Sequence, residues 1–226
     1  MINITKEIFR KVYRQVKERA KSLNVDGNIT VDYIKESENY KYMMFGKARR
    51  NLQAENWTKE DIGTSKILEC VNDAVNVGGN NMVYYEERHN FMNLSNDKEI
   101  EQLIFDLYKK DSDKEIWEQL FNIKRQQKKV FQYQFLAFLF FLKDPQRYMP
   151  ISPLLFDKVF IFMGLDFQTA DSESWENYQT YNEIHYKLLP YMKEKIEDAT
   201  ILHVHSLLFS CGKQIITKSL DLVQQE

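Results

Sequence analysis

Apolar residues recur every three or four positions along most of the chain, and this spacing is the period of an amphipathic α-helix. The clearest segment runs from Thr5 to Leu23, where apolar positions line one face and Lys and Arg occupy the other. The chain holds only seven Gly and four Pro, fewer than turn-rich β-sandwiches and barrels use. The sequence therefore predicts an all-α or mainly α fold, a multi-helix globular bundle.

Helix-start and helix-stop signals divide the rest of the chain into further helices. Thr58 and Asp61 have the spacing of a capping box. Ser95 is placed to cap another helix, and Ser152-Pro153 would open one that ends at Gly164. The predicted helices after the first cover residues 58–75, 95–108, 116–121, 152–164, 173–189, 191–209 (with a break) and 213–223.

Val130 to Leu142 is apolar almost all round, interrupted only by Gln132 and Gln134. The segment is too short to cross a bilayer, which needs about 20 apolar residues. We therefore expect it to be the buried central helix of the fold, and we expect no membrane partner. The proline of Lys143-Asp144-Pro145 ends it, because a proline disfavours the helical conformation in the residue before it.

Two features of the organisation leave alternatives open. The alternating residues from Ile29 to Ile34 fit a short strand, giving a minor β element near residues 28–45, or a helix capped at Thr30. Gly78-Gly79 marks a boundary between an N-terminal helical lobe, residues 1–77, and a C-terminal helical domain, residues 78–226. One continuous domain is the other interpretation.

The sequence lacks the motifs of several common kinds of catalytic and binding site. No two glycines have the spacing of a dinucleotide-binding loop or of a serine nucleophile elbow, and no P-loop is present. No Asp or Glu is followed by Lys two positions later, as in many Mg²⁺-dependent restriction nucleases. We expect no cofactor and no metal site. Cys70 and Cys211 lie far apart, and without a signal-peptide pattern they predict a cytoplasmic protein.

His203 and His205 form the densest histidine feature, within an apolar helical segment. Residues two apart on a helix point in different directions, which disfavours joint metal binding. We therefore expect one buried, hydrogen-bonded histidine and one that is partly exposed.

Charge is distributed unevenly. Residues 121–150 hold six Lys and Arg against one acid, whereas residues 55–120 hold seven against fifteen. On a helix, Lys124 with Lys128 and Arg125 with Lys129 are i,i+4 pairs that make two adjacent basic ridges. These four residues and Arg147 are the predicted nucleic-acid-binding residues. Pairing of the ridges with the acidic block of residues 97–118 is the structural alternative.

Four segments together resemble a known helical region. They are residues 80–85 with Phe91, residues 141–151 continuing to 156–160 and Gly164, residues 174–178, and residues 203–206. The region is similar to one that lies beside HNH nuclease domains and in McrB-like AAA+ restriction proteins of bacterial and phage-defence loci, and the match covers residues 80–210. The resemblance implies a helical fold and a DNA-restriction or antiviral-defence context, but it carries over no catalytic residue.

Three functions are consistent with these observations. The first is a non-catalytic nucleic-acid-binding or nuclease-accessory protein with DNA as a partner. The second is a protein-interaction subunit that uses Tyr40 to Phe45 and whose nuclease or ATPase partner supplies catalysis. The third is a metal-dependent hydrolase with an acidic site that the motifs do not reveal.

Overall fold

The computed structural model describes residues 2–23, 29–94, 97–126, 131–170 and 172–223. These residues form α-helices and two short 3-10 turns with no strand among them, so the predicted all-α fold is confirmed. The helices are α1 (Lys6–Ser22), α2 (Ile29–Leu52), α3 (Lys66–Val75), α4 (Tyr85–Met92), α5 (Lys98–Lys109), α6 (Asp113–Gln126), α7 (Tyr133–Lys143), α8 (Pro153–Met163), α9 (Trp175–Lys193) and α10 (Ile201–Val223).

Capping interactions fix the ends of α1 and α8. The Thr5 side chain accepts a hydrogen bond from the backbone N–H of Ile8 at the start of α1. Pro153 is the first residue of α8, and Gly164 ends it with a φ of 77°. That angle lies in the left-handed region, which glycine adopts without strain. Both ends of α8 lie where the sequence predicts them, although the side chain of Ser152 forms no capping hydrogen bond.

The start of α3 differs from the prediction. Thr58 and Asp61 do form the capping box, but it opens a 3-10 turn (Lys59–Asp61), and the α-helix begins only at Lys66. Between them, Gly63 and Ser65 have φ values of 86° and 71°. Two left-handed residues interrupt any right-handed helix, so the capping box and the helix are separate elements.

The start of α5 is capped by Asp97, whose side chain accepts hydrogen bonds from the backbone N–H groups of Glu99 and Ile100. Ser95, the predicted cap, lies outside the described residues. Asp and Ser are about equally good caps, and the two occur two positions apart here, so the sequence could not distinguish them.

Residues 29–52 are helical throughout, and the alternative of a minor β element near residues 28–45 is therefore wrong for the residues described. The alternating segment from Ile29 to Ile34 is too short to distinguish the two-residue period of a strand from the 3.6-residue period of a helix. The buried side chains of α2 follow the helical period: Thr30, Ile34, Lys41, Met44, Ala48 and Leu52.

A single helix, α10, replaces the two that the sequence predicts around Gly212. A Cβ atom at this glycine would lie 2.5 Å from Cδ2 of Leu155 and 3.1 Å from Cγ2 of Val159. Both residues belong to α8. Gly212 therefore serves the close packing of α10 on α8 and does not break the helix.

The chain divides into two compact units. The first comprises Met1–Tyr40 and Ser152–Glu226, and within it α1, α8, α9 and α10 pack on one another. The second comprises Lys41–Ile151, in which α5 packs on α3, α6 and α7. Gly78 and Gly79, at which the sequence predicts a boundary, lie within the second unit.

The core of the second unit is built around α7. Residues 135–142 are all completely buried, which confirms the prediction of a buried helix for the described part of Val130 to Leu142. Aromatic rings surround it: Phe45 packs on Phe141, and Trp117 packs on Phe140, in edge-to-face arrangements. Within the described residues, no helix has the length and apolar character needed to cross a membrane.

Candidate nucleic-acid interface

The first helix carries a row of basic side chains along one face. Arg10, Arg14, Lys17 and Lys21 are all exposed and follow one another at intervals of four, three and four residues. At about 100° per residue they fall within an arc of about 60°, and at about 1.5 Å per residue they extend over about 16 Å. We call this row the α1 ridge.

Burial of the opposite face orients the α1 ridge. Phe9, Val12, Val16 and Ala20 are buried, and α1 packs on α8, α9 and α10. An amphipathic helix held in this way must direct its polar face outward. The exposure of the ridge is therefore a consequence of the apolar pattern of the same helix.

A groove of about 310 Å³ runs beside the ridge. It is lined by Phe9, Arg10, Tyr13, Arg14, Lys17 and Lys195. Lys195 follows the end of α9, and its Nζ lies 5.5 Å from the centre of the Tyr13 ring, a cation–π contact. Four cations from two segments of the chain thus border one groove with an aromatic floor, which we call the Tyr13 groove.

No ion pair neutralises these cations within the described part of the chain. The nearby acids have other partners: Glu18 pairs with Lys218 at 2.6 Å, and Glu194 pairs with Lys6 at 2.7 Å. The hydrogen bond from Lys6 lowers the pKa of Glu194, and the charges of Lys195 and Arg10 lower it further. Of the acids on α1, Glu7 alone is left beside the ridge, exposed in the first turn.

The groove has side chains that can bind anions. Arg and Lys bind phosphates by charge and by hydrogen bonding. Burial raises the pKa of Tyr13, although a hydrogen bond with Thr30 partly opposes that shift. The phenol therefore stays protonated at neutral pH. No family model, curated protein or solved structure matches this chain.

The basic residues predicted from sequence lie in the second unit. Lys124 and Arg125 belong to the last turn of α6, and Lys128 and Lys129 lie outside the described residues. Because α7 begins only at Tyr133, the first two cations do not stand at the start of the central helix. Their proposed role in binding stays a prediction.

Arg147 is exposed and lies at the edge of a partly buried ionic cluster. Its guanidinium lies 3.6 Å from Oδ2 of Asp113 and stacks over the ring of Tyr148. Asp113 also accepts hydrogen bonds from Nζ of Lys143 and from the hydroxyl of Tyr148. The segment Phe141 to Ile151, which carries the family resemblance, is therefore held to the start of α6 by its polar residues.

Other polar residues of the resemblance also cap helices. The side chain of Asn80 donates to the carbonyl of Val75 near the end of α3. Ser174 accepts from the backbone N–H of Asn177 at the start of α9. His203 accepts from the backbone N–H of Thr200 through Nδ1, just before α10. These contacts give several of the residues on which the predicted resemblance rests a role in the fold.

The histidines differ from the expectation of one buried and one partly exposed side chain, because His203 and His205 are both buried. The structure also brings His185 beside His205, with ring centroids 5.7 Å apart. They lie twenty positions apart, so no local pattern in the sequence predicts this pair. Among the described residues, no group of three or more His, Cys, Asp and Glu side chains could hold a metal ion.

Buried carboxylates hold segments of backbone together. Glu101, on α5, accepts four backbone N–H bonds, through Oε2 from Gly63 and Ser65 and through Oε1 from Ile67 and Leu68. Hydrogen bonds of this kind satisfy donors that a helix N-terminus leaves without partners, here at α3.

A second buried acid, Asp157 on α8, binds another segment in the same way. It accepts from the backbone N–H and the hydroxyl of Thr169 and from the backbone N–H of Ala170. Reactions that need an acid–base carboxylate must position it toward a substrate, whereas Asp157 and Glu101 accept hydrogen bonds from groups of this chain.

Proposed function

We propose that this protein binds nucleic acid through the α1 ridge and makes no catalytic contribution of its own. The observation that supports the proposal is a line of four exposed cations without ion pairs in the described structure, continued across the Tyr13 groove by Lys195. Basic residues clustered along one helix face are typical of nucleic-acid-binding surfaces.

The proposal includes a biological context. The resemblance to the helical region beside HNH nuclease domains and in McrB-like restriction proteins favours an accessory role in a restriction or phage-defence system. In such a system the partner, a nuclease or an ATPase, supplies the catalysis, and this chain contributes DNA binding.

A protein-interaction subunit is the second candidate. In the segment Tyr40 to Phe45, Met43 is 57% exposed, whereas Met44 is buried and Phe45 packs on Phe141. Only part of the predicted contact surface is therefore available to a partner. Tyr84 and Tyr85 are two further exposed aromatic side chains, at 64% and 70% exposure.

Charge reversal on the ridge tests the proposal. We expect Arg14→Glu/Lys17→Glu to weaken binding of a fluorescent 20-base-pair duplex by about tenfold to a hundredfold at 0.1 M salt, because two phosphate contacts are lost. Fluorescence anisotropy measures the affinity, and a thermal melt checks the fold.

Two further variants serve as controls. Lys35→Glu/Lys158→Glu changes net charge equally at exposed positions of α2 and α8 that are not part of the α1 ridge, and it should have little effect. Arg14→Lys/Lys17→Arg keeps the charge and should bind as the unmodified chain does. If the ridge variant and the Lys35/Lys158 variant lose affinity equally, only net charge matters and the α1 ridge is not the binding site.

A further inference from the structure

We infer that the α1 ridge binds the phosphate backbone of a duplex, without base stacking and without preference for sequence. The inference rests on the proposed function and specifies the ligand of the same site. Three observations support it. The aromatic rings beside the ridge are already packed, acids lie on one flank of the ridge, and the row of cations is about 16 Å long.

The aromatic rings of the Tyr13 groove are already occupied. Phe9 is 2% exposed, and its ring packs against those of Tyr13 and Tyr191 at centroid distances of 5.8 and 5.9 Å. The Tyr13 ring is covered by Lys195. Proteins that bind single strands rely on exposed rings that stack on bases. The ridge offers no such platform, so its affinity must come from phosphates.

One flank of the ridge carries acids. On the side of the ridge away from Phe9 and Tyr13, helical geometry places Glu7 and Glu18, about 60° to 80° from Arg10 around the helix. The carboxylate of Glu18 forms an ion pair with Lys218, and that pair carries no net charge. The exposed Glu7 is therefore the acid of α1 that repels phosphates on this flank.

The row of cations has a length that suits a duplex. Each strand of B-DNA rises about 3.4 Å per nucleotide and turns about 35° around the axis, so a straight row of about 16 Å faces about two or three phosphates of one strand and reaches others only across a groove. The duplex holds these charges in a fixed array that the rigid helix can match. A single strand has to be ordered on binding, which costs conformational entropy.

Competition between nucleic acids tests the inference. Two 20-base-pair duplexes of unrelated sequence and the corresponding 20-nucleotide single strands are titrated with the full chain at 50 mM salt, with anisotropy as the readout. We expect equal dissociation constants for the duplexes, within about twofold, and binding of the single strands that is about fivefold weaker or more.

The Tyr13→Leu variant distinguishes stacking from charge. It keeps an apolar floor but removes the ring, and we expect the ratio of the single-strand to the duplex dissociation constant to stay within about twofold of that of the unmodified chain. Stronger binding of the single strands, a large rise of that ratio in Tyr13→Leu, or unequal duplexes would overturn the inference and leave the proposed function standing. Absence of binding to every nucleic acid would overturn both.

Discussion

The hydroxyl of Tyr148 donates a hydrogen bond to Oδ2 of Asp113, and the two oxygens lie 2.5 Å apart. Asp113 is the first residue of α6, and Tyr148 lies five residues after the end of α7. The bond therefore joins the start of α6 to the segment that follows α7. Lys143, at the end of α7, donates to the other carboxylate oxygen. Burial, followed by the bond to Asp113, raises the pKa of Tyr148 and keeps the phenol a donor.

Removal of the Tyr148 hydroxyl should destabilise the protein. In Tyr148→Phe the carboxylate of Asp113 loses a buried donor, and we expect the free energy of unfolding to fall by about 1–3 kcal/mol. Urea denaturation followed by circular dichroism gives the value. Tyr85→Phe removes a hydroxyl from an exposed side chain and should change nothing measurable. Equal stability of the two variants would show that the bond contributes nothing.

A methyl group at Gly212 should force α8 and α10 apart. Its Cβ would lie 2.5 Å from Cδ2 and 2.7 Å from Cγ of Leu155, closer than carbon atoms approach. We expect Gly212→Ala to lower the free energy of unfolding by about 1–3 kcal/mol, the usual effect of overpacking. Thermal and urea unfolding both report it.

Gly46→Ala is the matched control, since this glycine also lies inside a helix, α2, but has no atom within 4 Å of its Cβ position. Here alanine should stabilise the protein by about 0.5–1 kcal/mol because glycine is the poorer helix former. Stabilisation by both substitutions would mean that α8 and α10 are not packed closely at Gly212.

Cys211 should resist thiol reagents in the folded protein. Burial raises the pKa of its thiol to about 12, so at pH 8 only about one molecule in ten thousand carries the reactive thiolate. We expect iodoacetamide to modify the partly exposed Cys70 first and Cys211 only after unfolding, as peptide mass spectrometry can show. Equal rates in the folded protein would contradict this burial.

The alkaline pH dependence of stability has a definite sign at Cys211. The folded-state pKa is raised above that of the unfolded chain, so its contribution is complete below about pH 8.5 and decreases as pH rises toward 12. Cys211→Ala should therefore flatten the loss of stability between pH 8.5 and 10. If the free energy of unfolding of Cys211→Ala falls as steeply with pH as that of the unmodified chain, other groups cause the loss.

Much of the fold could be predicted because helices carry their signal locally. The apolar period of α1, the apolar run of α7, and the proline and glycine that bound α8 each lie within one short segment. The continuity of α10 could not be predicted, because the reason for Gly212 lies at Leu155, on another helix. The backbone bonds of Glu101 are likewise formed with residues more than thirty positions away.

The candidate site required the structure for a different reason. The sequence shows many cations on α1, but it does not show which ones have partners. Lys11 donates to the carbonyl of Phe162, and Arg19 donates to the hydroxyl of Tyr33. Only the folded chain separates these from the ridge residues. Lys195 belongs to the segment after α9, and no local pattern in the sequence predicts that it lies beside α1.

The affinity for a duplex should depend steeply on salt if the α1 ridge is the binding site. If all four ridge cations contact phosphates, log affinity should fall with log salt at a slope of about −3.6, or about 150-fold between 50 and 200 mM. Arg14→Ala/Lys17→Ala should reduce the slope to about −1.8, and Lys35→Ala/Lys158→Ala should leave it unchanged.

The same measurement on Lys128→Ala/Lys129→Ala compares the α1 ridge with the basic segment predicted from sequence. Our account predicts a slope of about −3.6 for this variant, equal to that of the unmodified chain, while the ridge variant loses half of it. A slope that falls by about two in Lys128→Ala/Lys129→Ala and stays unchanged in Arg14→Ala/Lys17→Ala would contradict the account and assign binding to the second unit.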